Sequence, residues 1–193
     1  ALFDNAGLKI TPGIDILLKK NIPIASGLGG GSSDAASVIL GLNKLFNFGL
    51  RGEDLLRLGR GVGADVPFFL FNQGYALGRG IGDILEKIDC KEEFWNILLF
   101  IPAKKSTKDI YNRVNLNLTK VCPDVKITRY VLENFDLNKL AKSLYNDLED
   151  IVIKEDIRIK KAKELLLKKT LGASLSGSGP TVFGIVKNKE VGL

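Results

Sequence analysis

The order of periodic segments predicts an α+β protein built in two lobes. Three observations carry that expectation. Segments of helical and strand period alternate along the chain, and a polar cluster, Asp89-Cys-Lys-Glu-Glu93, interrupts them near the middle. Glycine-rich turns recur around Gly27–Gly31, Gly61–Gly63 and Gly177–Gly179. The cluster divides residues 1–90 from residues 91–193 as expected domains.

The chain opens on Ala1-Leu-Phe-Asp4, which reads as the tail of a helix. No Met occurs anywhere, so these 193 residues are read as a fragment of a longer protein, with both lobes incomplete. Ile14-Asp-Ile-Leu-Leu-Lys-Lys20 alternates imperfectly and predicts a strand running into the first glycine loop. After the loop, Ala35, Val38, Ile39, Leu42, Leu45 and Phe46 repeat at helical spacing, with Gly49 as the expected left-handed residue after the helix. A second helix is predicted from about Arg51 to Leu58, followed by a glycine turn into the apolar run Val66–Leu70. Short strands are predicted at Gly74–Gly80 and Ile84–Ile88, joined by a turn at Gly82-Asp83. Trp95–Ile101 reads as a buried strand stopped by Pro102. Helical pattern then dominates from Ser106 to about Leu171, broken near Cys122-Pro-Asp124. The chain closes on strands at Ala173–Ser176 and Pro180–Val186 around the Gly177-Ser-Gly179 turn.

Composition bounds the function. Hydrophobic residues make up 45% and charged residues 26%, the balance of an ordinary soluble domain, and no apolar run is long enough to span a bilayer. No signal-peptide pattern is present, and Cys90 and Cys122 lack metal-type spacing, so a reduced, cytoplasmic setting is expected. With no His, a His-ligated metal or a Ser–His–Asp triad is excluded within the segment. The net charge of +6 fits either nucleic acid or a phosphorylated small molecule. The lysines lie along amphipathic segments and are not interleaved with aromatics; runs such as Lys160-Lys161 and Lys168-Lys169 read as solvated helix faces, which favours the small molecule.

The densest signal is Pro23-Ile-Ala-Ser-Gly-Leu-Gly-Gly-Gly-Ser-Ser-Asp34. Glycines permit close approach of backbone to a ligand, and the helix behind them offers unpaired amides and a positive dipole end to an anion. No Lys follows as a Walker loop requires, and the spacing is not that of a dinucleotide fingerprint. A plain helix start capped by Ser32 or Ser33 is the competing reading, though four glycines in five positions cost more than a cap needs. Ser32 and Ser33 can also bind a phosphate oxygen or ligate Mg²⁺, and Asp34 is expected in the first helical turn. Asp65, between Gly63-Ala64 and Val66-Pro67, has apolar neighbours and no nearby charge. It reads equally as a buried base accepting a hydroxyl proton or as an N-cap before Pro67. In Ser176-Gly-Ser-Gly-Pro-Thr181, a tight strand–turn–strand competes with a wall against the phosphate loop in which Ser178 and Thr181 supply hydroxyl contacts.

Taken together the three segments resemble the signature motifs of the GHMP small-molecule kinases. Pro23 to Ser33 is similar to that family's P-x-x-x-G-L-G-S-S-A ATP loop, and Gly177-Ser-Gly179 to its C-terminal glycine motif. Gly63-Ala-Asp-Val-Pro-Phe68, Gly78-Arg-Gly-Ile-Gly-Asp83 and Asn146-Asp-Leu-Glu149 are similar to the branch that phosphorylates a cytidylylated methylerythritol. The resemblance implies an N-terminal lobe like ribosomal protein S5 domain 2 and a ferredoxin-like C-terminal lobe. It implies γ-phosphoryl transfer from ATP, with Mg²⁺, to a hydroxyl of that small molecule, with no nucleic-acid or membrane partner. Pro23, Gly27, Leu28, Gly29, Gly30, Gly31, Ser32 and Ser33 would hold ATP, and Ser33 would be a metal ligand. Asp65 would be the catalytic carboxylate, contacting substrate together with Gly177, Ser178, Gly179 and Thr181. The family's catalytic lysine and the His and aromatic residues that grip cytidine have no match here; Lys19 and Lys20 sit just before the loop, in a different place. Two rivals stay open: a mevalonate- or homoserine-type kinase, and a non-catalytic nucleotide-binding module of the same fold.

Overall fold

The apolar repeat predicted after the glycine loop folds as helix α1 (Gly30–Leu45), whose inward face buries Ala36 and Ile39. The computed structural model describes residues 3, 7–8, 13–90, 92–102, 110 and 124–192. The chain divides into one unit of Ala1–Ile24 with Gly29–Ile88 and another of Ala25–Leu28 with Asp89–Leu193.

In the first unit α1 packs with α2 (Glu53–Arg60) and α3 (Val66–Phe71). Ile39, Leu58, Val66 and Leu70 meet in one core with Phe3 and Ala36. Of the opening four residues only Phe3 is described; it is helical and buried, in keeping with a helix tail. Helix α1 ends at Phe46, and Asn47 (φ 51°), not Gly49, takes the first left-handed turn. Asn tolerates that region better than other side-chain-bearing residues. Asn43 then fixes the exit, donating from Nδ2 to Leu50 O and accepting Leu50 N–H at Oδ1, each at 3.0 Å. The predicted hairpin forms from β1 (Ala76–Arg79) and β2 (Ile84–Lys87), antiparallel, with Arg79 opposite Ile84.

The strand predicted at Ile14–Lys20 is absent. No ladder partner lies beside it among the described residues, and Leu17 is 99% exposed. An extended segment becomes a strand only when its amides and carbonyls pair, and imperfect alternation gives this one no single apolar face.

The second unit holds β3 (Trp95–Leu99), helices α4 (Val125–Glu133), α5 (Leu137–Ser143), α6 (Glu149–Glu155) and α7 (Ile157–Leu167), then β4 (Gly172–Leu175) and β5 (Val182–Val186). Three helices start where an Asp caps them: Asp124, Asp136 and Asp156 accept from the amides of Lys126, Lys139 and Arg158 at 2.9–3.0 Å. Residues 103–109 and 111–123, with Cys122 and most of the predicted break, lie outside the described residues. Cys90 carries a free thiol.

The sheet is antiparallel throughout, in the order β3-β5-β4, with Val182 facing both Leu99 and Leu175. Alternate residues of β5 serve two cores. Val182 joins Val152, Ile159, Leu166 and Leu175, whereas Ile185 joins Val131, Leu140 and Ala141. Strand β3 is an edge strand and not the buried one expected: Trp95 and Leu98 are each 52% exposed. The apolar run Ile97–Ile101 looked like double burial, but an edge position uncovers part of each face.

Candidate functional site

The glycine loop is not one structural object but two. Its first part, Ala25–Leu28, belongs to the second unit, and Gly29 onward belongs to the first. In the first part Ser26 is buried, and its carbonyl accepts from Thr181 N–H (3.2 Å). Gly27 O accepts from Ser176 Oγ (2.8 Å). Gly27 has φ 76°, and a Cβ there would meet Gly179 O at 2.6 Å. Both the dihedral and the contact require glycine. Pro23 is exposed and Leu28 half-buried.

The partner of this segment is the predicted C-terminal turn. Ser176 N–H donates to Thr181 O (2.9 Å) and Gly179 N–H to Ser176 O (2.8 Å), with Gly177 (φ 53°) and Gly179 (φ 74°) both left-handed. Thus Gly27, Gly177, Gly179 and Thr181 come together. Ser178 is 8% exposed and Thr181 is wholly buried, its Oγ1 without a hydrogen-bond partner among the described residues. A buried hydroxyl without a partner is rare, and this one is closed off from any ligand that does not enter the fold.

In the second part, Gly29 is the N-cap of α1, left-handed at φ 67°, ψ 15°. The expected cap at Ser32 or Ser33 is therefore corrected. The turn at Gly29 starts the helix earlier, and the aromatic ring of Phe69 occupies the space where a Cβ at Gly29 would meet Phe69 Cζ at 2.8 Å. Through Phe69, helix α3 abuts the loop, and Asp65 is the N-cap of that helix. The internal ladder of α1 begins with Ser33 N–H donating to Gly29 O (2.9 Å). The amides of Gly30, Gly31 and Ser32 precede it and have no acceptor within the helix, and no side chain caps them. Three such amides at the positive end of a 16-residue helix have the donors and the dipole direction that an anion would require. The hydroxyls of Ser32 and Ser33 stand in the same stretch, half-buried.

Asp34 is not in the first turn, because the helix starts at Gly30. Its carboxylate pairs with Lys20, an ion pair that local reading missed because its members are 14 residues apart. Asp65 also departs from expectation. It is exposed, not buried, its side chain makes no capping hydrogen bond, and it has no ion pair with a described residue. Apolar neighbours in sequence misled here: Val66 and Pro67 turn into the core while the N-cap residue turns out. Asp65 does stand at the N-cap position of the competing reading, with Pro67 in the first turn, but its side chain makes no capping hydrogen bond. Sequence reading also left Asn146 and Glu149 without a task, although both bond to the strand that leads into the Gly177 turn.

A family model described as GHMP kinases N terminal domain matches residues 1–73, and one described as GHMP kinases C terminal matches residues 129–192. A 4-diphosphocytidyl-2-C-methyl-D-erythritol kinase of Syntrophus aciditrophicus (strain SB) is 43% identical over 179 residues, covering 92% of this chain and 62% of that protein. Its namesake in Clostridioides difficile (strain 630) is 40% identical over 183 residues, 94% of this chain and 62% of that protein. The chain therefore spans 62% of the length of these curated relatives. A crystal structure of 4-(cytidine 5'-diphospho)-2C-methyl-D-erythritol kinase matches with a TM-score of 0.72 and 29% identity, over 90% of this chain and 62% of that one. L. major mevalonate kinase in complex with R-mevalonate matches with a TM-score of 0.69 over 98% and 67%, but at 16% identity that likeness concerns the fold alone.

Proposed function

The chain belongs to the GHMP kinase family, and from that membership we propose that the longer protein phosphorylates 4-diphosphocytidyl-2-C-methyl-D-erythritol at its 2-hydroxyl, using ATP. The observation that carries a phosphoryl-transfer reading is the first turn of α1: Gly30, Gly31 and Ser32 present amides without an acceptor among the described residues. The choice of acceptor rests on the relatives at 40–43% identity, all bearing that kinase name. Mevalonate and homoserine kinases share the fold at 16–18% identity and give no support for their own acceptors.

In this reading Gly29 to Ser33 surround the β- and γ-phosphates, with Pro23, Gly27 and Leu28 shaping the approach to them. No cluster of three acidic, Cys or His residues able to hold a metal exists among the described residues. Mg²⁺ takes one or two protein oxygens and fills the rest of its shell with phosphate and water, so Ser33 Oγ is the candidate ligand, and the ion would neutralise phosphate charge. At the acceptor, Asp65 receives the hydroxyl proton as the hydroxyl oxygen bonds to the γ-phosphorus and the bond to ADP breaks. Gly177, Ser178 and Gly179 remain on the substrate side, whereas Thr181, wholly buried with its N–H and carbonyl both bonded within the fold, supports the turn and does not touch substrate. A cytoplasmic location fits a small-molecule kinase.

The test uses the full-length protein with MgATP and three acceptors: the cytidylylated substrate, mevalonate and homoserine. Transfer to the first alone is expected. Asp65→Asn should lower kcat by about 10²–10⁴ with ATP affinity within about threefold, the range for losing a general base. Near-parental kcat in that variant, or preferential phosphorylation of mevalonate or homoserine, overturns the reading.

A further inference from the structure

We propose that Asn146 and Glu149 are positioning residues of the nucleotide loop, acting as a clamp on the turn that holds Ala25–Leu28. The inference rests on the kinase reading above for what the loop holds, but the clamp itself is read from geometry within the second unit.

Among the described residues strand β4 lies at the edge of its sheet, so the outward amide and carbonyl of Leu175 have no neighbouring strand there. Side chains replace one. Leu175 N–H donates to Glu149 Oε2 (2.8 Å), and Leu175 O accepts from Asn146 Nδ2 (2.9 Å). The same Nδ2 also donates to Gly177 O (2.8 Å). Both hydrogens of one amide group are thus spent on carbonyls on either side of Ser176, which fixes the entry into the left-handed Gly177 turn. The amide orientation is determined, because Asn146 Oδ1 accepts Leu148 N–H at 2.9 Å. A flipped amide would face two carbonyls with an oxygen and an N–H with an NH₂. Glu149 is anchored in turn: Oε1 pairs with Lys163 on α7, and Oε2 also accepts from Ser174 Oγ (3.3 Å).

What the clamp holds is Ser176. Its Oγ donates to Gly27 O and its N–H to Thr181 O, while Thr181 N–H reaches Ser26 O. Two bonds therefore tie the turn to Ser26 and Gly27, and Gly27 lies two residues before Gly29, the N-cap from which the free amides of α1 follow. Rotation of the turn about Leu175 and Gly177 would displace Ser176 Oγ from Gly27 O. Neither Asn146 nor Glu149 needs to touch the nucleotide for its loss to be felt there. A merely structural edge cap would change stability alone, whereas a clamp also changes nucleotide affinity.

The decisive variant is Asn146→Asp in the full-length protein, since Asp keeps the size and the acceptor for Leu148 N–H but removes both donors. Binding of the non-hydrolysable ATP analogue AMP-PNP with Mg²⁺ is measured by calorimetry, alongside KM for ATP, kcat and Tm. We expect the AMP-PNP Kd to rise about tenfold or more, with KM for ATP following, and by only about twofold when Ser176→Ala has already cut the link. An unchanged Kd and KM with a lowered Tm overturns the clamp in favour of a structural cap. A full effect in the Ser176→Ala background overturns the route through Ser176. Should Asn146→Asp not fold, Glu149→Gln keeps an acceptor for Leu175 N–H but weakens the Lys163 anchor. A several-fold rise in Kd then supports the clamp, and none overturns it. If the parent protein fails to bind AMP-PNP, the kinase reading falls and the clamp with it; parental binding with unaffected variants sinks the clamp alone.

Discussion

The two parts of the glycine loop show opposite uses of one residue type. In Ala25–Leu28 the backbone is occupied: Ser26 O and Gly27 O accept hydrogen bonds, and Gly27 sits where a side chain cannot fit. In Gly30–Ser32 only the carbonyls are engaged, in the helix. The amides lack acceptors within the helix, and a Cβ at Gly31 would meet nothing within 4 Å. Glycine at position 27 is a requirement of the fold. Glycine at 31 costs helix stability and has no packing reason among the described residues; on the proposed reading its use is to let the nucleotide approach. Stability and function are thereby separated within five residues.

Substitutions in the full-length protein can break that separation. Gly27→Ala carries the largest expected cost in stability, about 3 kcal/mol or more, from the left-handed dihedral and the contact with Gly179 O. Chemical denaturation measures it, and a loss under 1 kcal/mol would mean that the turn shifts freely and that the first part is no more fixed than the second. Thr181→Val should stabilise by about 1 kcal/mol, since the buried hydroxyl it removes has no partner among the described residues. Destabilisation of that size would instead reveal a buried water bound there. Gly31→Ala sharpens the contrast most. It should raise stability by about 0.5–1 kcal/mol while weakening AMP-PNP binding, because Ala suits a helix and its methyl intrudes on a close ligand. Unchanged binding in that variant removes the argument from close approach. The smallest effect is expected at Asp65→Asn, whose stability should stay within about 0.5 kcal/mol of the parent because the exposed carboxylate caps nothing. Measured together with the fall in kcat, this would place Asp65 wholly on the functional side.

The sequence made legible whatever is decided over a few neighbouring residues. Helix α1 follows from its apolar repeat, the β1–β2 hairpin from the glycines between its strands, and the closing strands from the turn at Gly177–Gly179. What stayed hidden depends on distant partners. Ile14–Lys20 has strand-like residues but no strand beside it, and Trp95–Leu99 has core-like residues at a sheet edge. Asp65 was misjudged because neighbours in sequence say little about which way an N-cap side chain points. The Lys20–Asp34 pair and the bonds from Asn146 and Glu149 span 14 to 31 residues, beyond any local pattern. For the candidate site, the residue types were readable and their division of labour was not.

The side-chain border on β4 has a further consequence for how this chain behaves in company. An open sheet edge is a template on which another extended chain can dock, the first step of strand exchange and fibrillar association. At Leu175 both polar groups of that template are taken by Asn146 and Glu149. A foreign strand would have to displace a neutral amide and an ion-paired carboxylate before forming its first rung. The same pair of side chains therefore closes the β4 edge at Leu175 to strand addition, while the β3 edge carries no such cover from them.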